Sequence, residues 1–384
     1  MNNFEYCNPV NIVFGKGKIA RIAELIPAGS KVMMTYGGGS IKKNGVYDQA
    51  KEALKGFDVV EFGGIEPNPQ YSTLMKAVEI VKKENVTFLL SVGGGSTLDG
   101  TKFIAAASKY EGDEPWDILE KGAPVKDALP LADVITLPAT GSEMNCLAVV
   151  SRKETTEKLA FGSPLVFPKF SIIDPTVTFT LPLRQVANGI ADTFVHVIEQ
   201  YVTHPQNTPL QDRQAEALLL ALIDEAPKVF ANPEDYDTRA NIFWMATQAL
   251  NGWLNVGTIQ CWATHCIGHE LTAQLGVDHG RSLALVLPGV WRHQRKEKGE
   301  KIVQLGRRVF KIDEPNFDKA LDATIAATIK FFQSLGINAT KKEYGVTDEI
   351  VKAIADLIDS RGVKFGDRRN IGGKEIVEIL NLCD

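Results

Sequence analysis

Residues 86–108 read VTFLLSVGGGSTLDGTKFIAAAS. A short aliphatic and β-branched run, stopped by a glycine triplet and followed by helical spacing, is a buried strand turning into a helix. Toward the N-terminus the same unit recurs: KVMMTY (31–36) leads through GGGS (37–40) into IKKNGVYDQAKEALKGF (41–57), and DVVEFGG (58–64) leads into YSTLMKAVEIVKKEN (71–85). Three such strands with intervening helices predict a parallel, doubly wound α/β sheet whose ligand crevice lies beyond the carboxyl ends of its strands. DVITLPA (133–139) and FSIIDP (170–175) supply two more strands.

Beyond Leu181-Pro182 the periodicity becomes helical, over 184–202, 210–229, 237–254, 261–275, 300–310 and 318–335. The spacing therefore predicts a dinucleotide-binding α/β domain over 1–181 and a helical domain over 182–384, with SLALVLPGVW (282–291) as its most buried segment. Apart from the repeated strand-GGGS-helix unit there is no internal period or low-complexity tract.

The 384-residue chain is 44% hydrophobic and 23% charged, enough apolar material for more than one core. With 42 Lys+Arg against 47 Asp+Glu its net charge is -5, which offers no field to a nucleic-acid backbone. No signal-like N-terminus and no run of ~18 apolar residues is present, so a cytoplasmic location and no membrane partner are expected. Five scattered cysteines without paired spacing read as free thiols.

Backbone N–H groups at a helix start, freed of side chains by glycine, are what a phosphate needs. Gly93, Gly94, Gly95 and Ser96 occupy such a position. The earlier loop, Gly37, Gly38, Gly39 and Ser40 followed by Lys42 and Lys43, lacks the acid that usually holds an adenosine ribose, which suits a 2′-phosphate. Asp99 and Lys102, just after the second loop, are assigned to the cleft.

Five of the six histidines fall between positions 196 and 279. Asp192 and His196 are four apart on one apolar helix, His265 and His269 repeat that spacing, and His279 precedes the buried segment. An imidazole on an apolar face needs a hydrogen bond or a metal. Three imidazoles and one carboxylate would leave a divalent ion with charge about +1 and an open position. Spacing alone leaves open which histidines coordinate. Cys266, adjoining His265, points to another face and is not a ligand; His204, in THPQNTP, reads as exposed.

With these residues assembled, the chain resembles the iron-containing (group III) alcohol dehydrogenase family, in its NADPH-dependent aldehyde reductase and butanol dehydrogenase branch. The likeness rests on IVFGKG (12–17), YGGGSIKKNGVYDQ (36–49), GGIEPNP (63–69), VGGGSTLDGTKFIAAA (92–107), LPATGSEMN (137–145), IIDPTVTFTLP (172–182), RQVANGIADTFVHVIEQYVT (184–203) and WATHCIGHELTAQLGVDHG (262–280). The resemblance implies the dehydroquinate synthase-like fold and metal ligands Asp192, His196, His265 and His279, with His269 the nearby non-ligand. It implies Gly37, Gly38 and Ser40, with Gly39 in the same loop, near the 2′-phosphate, and Gly94, Gly95 and Ser96 on the pyrophosphate. Asp99, Thr136, Thr140, Asn145, Lys158 and Leu181 would line the rest of the cofactor. Leu137 stands where the wider family has threonine. A homodimer is implied as well.

The expected activity is hydride transfer between NADP(H) and a simple aldehyde or primary alcohol, helped by one divalent metal, Fe²⁺ or Zn²⁺ with Ni²⁺ and Co²⁺ as alternatives. The metal would polarise the carbonyl, His269 and Asp99 would serve the chemistry, and a cleft between domains would exclude water. Two rival readings are a dehydroquinate-synthase-like lyase and a metal- and nucleotide-binding paralogue without turnover. The lyase would need Lys and Arg around NGIADTFVHVIEQ and NGWLNVGTIQCWATH, which contain none.

Overall fold

The computed structural model describes residues 1–383 and holds two compact units. One comprises Cys7–Pro182 and Pro233–Thr247; the other comprises Met1–Tyr6, Leu183–Asn232 and the chain from Gln248 onward.

The first unit is built on six strands: β1 (Asn11–Phe14), β2 (Lys31–Tyr36), β3 (Asp58–Phe62), β4 (Phe88–Gly93), β5 (Leu131–Ile135) and, after a hairpin, β8 (Phe170–Ile173). They lie in the order β1-β8-β5-β4-β2-β3, all parallel. Strands β4, β5 and β8 are buried along their whole length because helices cover both faces. The period-2 alternation of a strand divides the core accordingly. Met33, Leu89 and Leu131 meet Leu74, Val78, Leu98 and Phe103 of the helices Tyr71–Glu84 and Gly95–Ala107 on one face. Val32, Met34, Phe88, Leu90 and Val134 meet Ile19, Ile22, Val46 and Ala50 on the other.

Two elements of this unit were not anticipated, and one helix expected over 237–254 belongs mostly to this unit rather than to the helical one. NIVF forms the edge strand β1, and β6 (Leu147–Arg152) with β7 (Glu157–Gly162) forms an antiparallel hairpin. The helix Tyr236–Ala249 lies mostly in the same unit, with Phe243 packed on Ile135 and Ile173.

The second unit is helical: Leu183–Tyr201, Pro209–Ala231, Ala263–Leu275, His279–His293, Arg295–Arg308, Phe317–Ser334, Asp348–Arg361 and Gly373–Asn381 are its longer helices. The segment 282–291 is buried throughout, inside His279–His293. Glycines permit the close approaches that matter here. A Cβ on Gly280 would strike the backbone of Asn188, and one on Gly268 would come within 2.9 Å of Leu283. Helix His279–His293 is thus pressed against both Leu183–Tyr201 and Ala263–Leu275, the helices that carry Asp192 and His265. Among the described residues no helix is long and apolar enough to cross a membrane.

Candidate active site

Where the sheet order reverses, β2 and β4 are hydrogen-bonded neighbours, with Tyr36 opposite Val92. Both GGGS loops therefore leave the sheet side by side at the switch point where doubly wound sheets bind ligands. Gly39 is in the left-handed region at φ 95°. A Cβ on Gly37 would lie 3.5 Å from Thr97 Oγ1 in the first turn of helix Gly95–Ala107, and one on Gly94 would lie 3.5 Å from Leu137. At Gly95 the Thr140 side chain occupies the space a Cβ would need. Ser96 Oγ accepts a long bond from Asn68 N at 3.4 Å. Thr136 donates its N–H to Gly93 O at 2.9 Å, which holds the end of β5 beside the loop. Gly94, Gly95 and Ser96 thus open the helix Gly95–Ala107 where glycine lets neighbouring groups approach the backbone closely, at a helix start of the kind that binds anions.

Two residues just inside that helix depart from expectation. Lys102 is fully buried rather than in the cleft, and its Nζ donates to the carbonyls of Ser142, Asn145 and Leu147 at 2.7, 2.9 and 2.9 Å. Ser142 Oγ and Asn145 Oδ1 lie at 2.8 and 3.1 Å. Burial pulls the amine down to about 8, while the five oxygen acceptors around Nζ favour the ammonium form. Asp99, one turn earlier, accepts from Ser142 Oγ at 2.7 Å and from Val149 N at 3.0 Å, and burial pushes its carboxyl up. Each oxygen of Asp99 thus accepts a bond from the 142–149 segment, which gives this carboxylate a positioning role. Together Asp99 and Lys102 fasten residues 142–149, the entry to the hairpin, onto the glycine-loop helix.

The other residues expected along a cofactor divide. Asn145 spends Oδ1 on Lys102 and on Leu147 N, and its amide nitrogen on Gly141 O at 2.9 Å, so its side chain is held inward. Thr140 Oγ1 accepts from Ser142 N at 3.2 Å. Lys158 is buried on β7 and lowers the Asp99 carboxyl through its charge. Leu181 is partly buried and donates its N–H to Thr178 O at 3.1 Å. Lys42 lies over the rings of Tyr36 and Tyr47, 4.9 Å from each centroid.

The helical unit brings the histidines together. Nε2 of His196, His265 and His279 lie 3.5, 3.5 and 3.7 Å from one oxygen, Oδ1 of Asp192. Ligand atoms of Asp192, His265 and His279 all fall within 4.8 Å of one another. The rings of His196 and His265 stack at 4.7 Å. His269 sits beside the group, 5.0 Å from the His279 ring and 6.3 Å from that of His265. Asp192, His196 and His265 are buried, while His279 is 24% exposed and gives the cluster an open edge. Asp192, His265 and His279 form a group that could hold a divalent ion, and His196 brings a further imidazole nitrogen to the same Asp192 oxygen.

Glu199 was not foreseen. It lies seven residues after Asp192 on the same buried helix face, and its carboxylate accepts from the backbone N–H of Thr264 at 2.7 Å and of His265 at 3.0 Å. It also accepts from Nδ1 of His265 at 2.5 Å. A carboxylate can only accept, so Nδ1 carries a proton toward Glu199, and it is Nε2 that faces Asp192 and would give up its proton to offer a lone pair to an ion. That Nε2 is buried and makes no hydrogen bond of its own. Burial disfavours a charged His265, but Asp192 and Glu199 outweigh it and hold the imidazolium up to about 9 without an ion. The periodic signal was present in the sequence: a third acidic or imidazole residue at i, i+4, i+7.

The thiols stand apart from this group. Burial pushes Cys261 up to about 11, and Cys266 is pushed up further, so neither is a thiolate. His204, expected to be exposed, is partly buried and pairs its Nδ1 with Asp367 at 2.7 Å.

Family comparisons agree across both units. The model of "Iron-containing alcohol dehydrogenase" matches residues 9–175, and that of "Fe-containing alcohol dehydrogenase family, C-terminal" matches 186–382. The chain is 53% identical to the NADPH-dependent aldehyde reductase YqhD of Escherichia coli K12, over 97% of each chain. It is 45% identical to the probable NADH-dependent butanol dehydrogenase 1 of Bacillus subtilis, over 99% of each. The crystal structure of NADH-dependent butanol dehydrogenase A from Thermotoga maritima superposes with TM-score 0.95 at 37% identity, covering 100% of this chain and 99% of that one. With both halves matched and the metal-type cluster in place, the chain belongs to the iron-containing alcohol dehydrogenase family.

Proposed function

We propose that the protein transfers hydride reversibly between NADP(H) and short- to medium-chain aldehydes or primary alcohols, at a divalent metal held by Asp192, His196, His265 and His279. The observation that carries this reading is the convergence of three imidazole Nε2 atoms on one buried carboxylate oxygen. The buried, unbonded Nε2 of His265, with its tautomer set by Glu199, supports the same assignment. A bound Fe²⁺ or Zn²⁺, or Ni²⁺ or Co²⁺ by supply, would polarise a carbonyl oxygen and stabilise alkoxide charge, while the nicotinamide provides the hydride.

The chain's own residues divide the remaining work. Gly94, Gly95 and Ser96 present backbone N–H groups to a pyrophosphate, and Gly37, Gly38, Gly39 and Ser40 offer no carboxylate to repel a 2′-phosphate. Asp99 and Lys102 hold the 142–149 segment so that Thr140 stays over Gly95. To His269, whose ring lies 5.0 Å from that of His279, we assign the passing of a proton between the product oxygen and solvent. The NADPH-dependent relative at 53% identity supports the choice of NADP(H). We also assign a cytoplasmic homodimer, as the family resemblance implies.

The test is consumption of NADPH by the metal-loaded protein on addition of butanal. His265→Ala should lose both the metal, by elemental analysis, and the activity. A response to a phosphorylated sugar acid instead of butanal would favour the lyase reading.

A further inference from the structure

Trp262 adopts φ 58° and ψ 9° at the residue preceding helix Ala263–Leu275, a left-handed conformation that a bulky side chain rarely takes and that glycine would take without strain. Such strain persists where the side chain has a use. The indole stands edge-on to the ring of His265 at 5.1 Å and to that of His196 at 6.2 Å, against the flank of their stack. Its Nε1 donates to Gln260 Oε1 at 2.5 Å, which fixes the ring and spends its one polar atom away from the histidines. Unlike His196 and His265, Trp262 is partly exposed. The rings next to the converging nitrogens thus include an apolar indole against His196 and His265, and the imidazoles of His269 and His279 against His265 and each other.

We propose that Trp262 is a specificity-determining residue: its indole is the apolar wall along which the alkyl chain of a carbonyl substrate lies, and it admits slender chains while excluding those branched next to the carbonyl. This inference rests on the metal-oxidoreductase reading above. The strained backbone and the indole against the histidines belong to the same residue, so both are altered together when it is replaced.

Trp262→Asn separates the two contributions, because asparagine tolerates the left-handed region but removes the ring. Trp262→Phe retains a smaller wall. The measurements are metal content, thermal midpoint, and kcat/KM for butanal, hexanal and 2-ethylbutanal. The Asn variant should keep its metal and raise the 2-ethylbutanal to butanal ratio of kcat/KM by about 10-fold or more, with the Phe variant between it and wild type. An unchanged ratio in both variants, with metal retained, overturns the proposal. A readout independent of turnover is quenching of tryptophan emission on loading with Co²⁺, which should shrink in Trp262→Phe. An undiminished quench would also overturn it. Should the wild type bind no metal or reduce no aldehyde, the underlying reading fails and this one with it; a metal-loaded, active wild type with unaltered variants sinks the wall alone.

Discussion

Glu199 grips His265 twice, accepting both its ring Nδ1–H at 2.5 Å and its backbone N–H at 3.0 Å. One carboxylate thereby sets the imidazole's tautomer, its direction and the start of the helix that carries it. Second partners of this kind are worth about 10–100-fold in metal affinity. Glu199→Gln should weaken metal binding by that factor, read by competition against a chelator, while the protein stays folded. Undiminished affinity would mean that something other than Glu199 fixes the ring.

His269 is close to the metal-type cluster without belonging to it. His269→Ala should retain metal and NADPH affinity and slow turnover by about 10²-fold, with an altered pH profile of kcat. Wild-type kcat at every pH would exclude a proton-relay role.

Cofactor choice is best probed at Gly38. Gly39 is held at φ 95°, where a side chain would be strained, whereas a Cβ on Gly38 meets nothing within 4 Å. Gly38→Asp places a carboxylate in the loop with little strain. The NADPH to NADH ratio of kcat/KM should fall by about 10-fold, or roughly 1.4 kcal/mol. A ratio that stays put would move the 2′-phosphate elsewhere.

Lys102→Met keeps the aliphatic stem and removes the ammonium that three backbone carbonyls share. Stranding those carbonyls in the interior should cost about 3 kcal/mol or more, visible as an earlier urea midpoint. Because residues 142–149 loosen with it, KM for NADPH should rise as well. A shift in the urea midpoint without any change in KM would confine the lysine to stability.

The acid limb of stability should depend on Asp367. Its carboxyl contacts the buried Lys298 ammonium and accepts from His204, and these partners outweigh burial to hold it at about 2, below its usual 3.8. Unfolded chains take up the proton near 3.8 and the folded protein only near 2, so the contribution is complete above about pH 4 and is lost as pH falls toward 2. Asp367→Asn should therefore be less stable at neutral pH, with Lys298 left unpaired, and should lose less on going from pH 4 to 2. Thermal midpoints across that range check both.

The strand-glycine-helix unit was legible because its signals are local: KVMMTY is β2 to the residue, and VTFLLSV contains most of β4. The histidine pairs were legible because four-residue spacing puts both members on one helix face. What stayed hidden depends on distant partners. The acceptors of Lys102 lie 40 to 45 residues further along the chain, so nothing near it marks it as buried. The β6–β7 hairpin turns at Thr156, in the left-handed region without glycine or asparagine, and lacks the usual turn signature. Trp262 reads as an ordinary core aromatic because a backbone angle leaves no mark on composition. Helix Asp348–Arg361, by contrast, did carry its signals in Thr347 at its start and Gly362 after its end, and they went unread.

Because the sheet unit takes in Pro233–Thr247 and the helical unit takes in Met1–Tyr6, the polypeptide passes from one to the other four times. A cut at Pro182-Leu183 would not yield two self-sufficient halves. The N-terminal fragment would expose Ile135 and Ile173 where Phe243 should sit, and leave Glu143 without the Thr247 hydroxyl that bonds it at 2.5 Å. The C-terminal fragment would carry that helix with nothing to cover it, and would lack the Asn2 N–H that bonds Gly257 O at 2.8 Å. Gene shuffling within the family should therefore tolerate exchange of the nucleotide-binding half only when residues 233–247 travel with it and residues 1–6 stay behind.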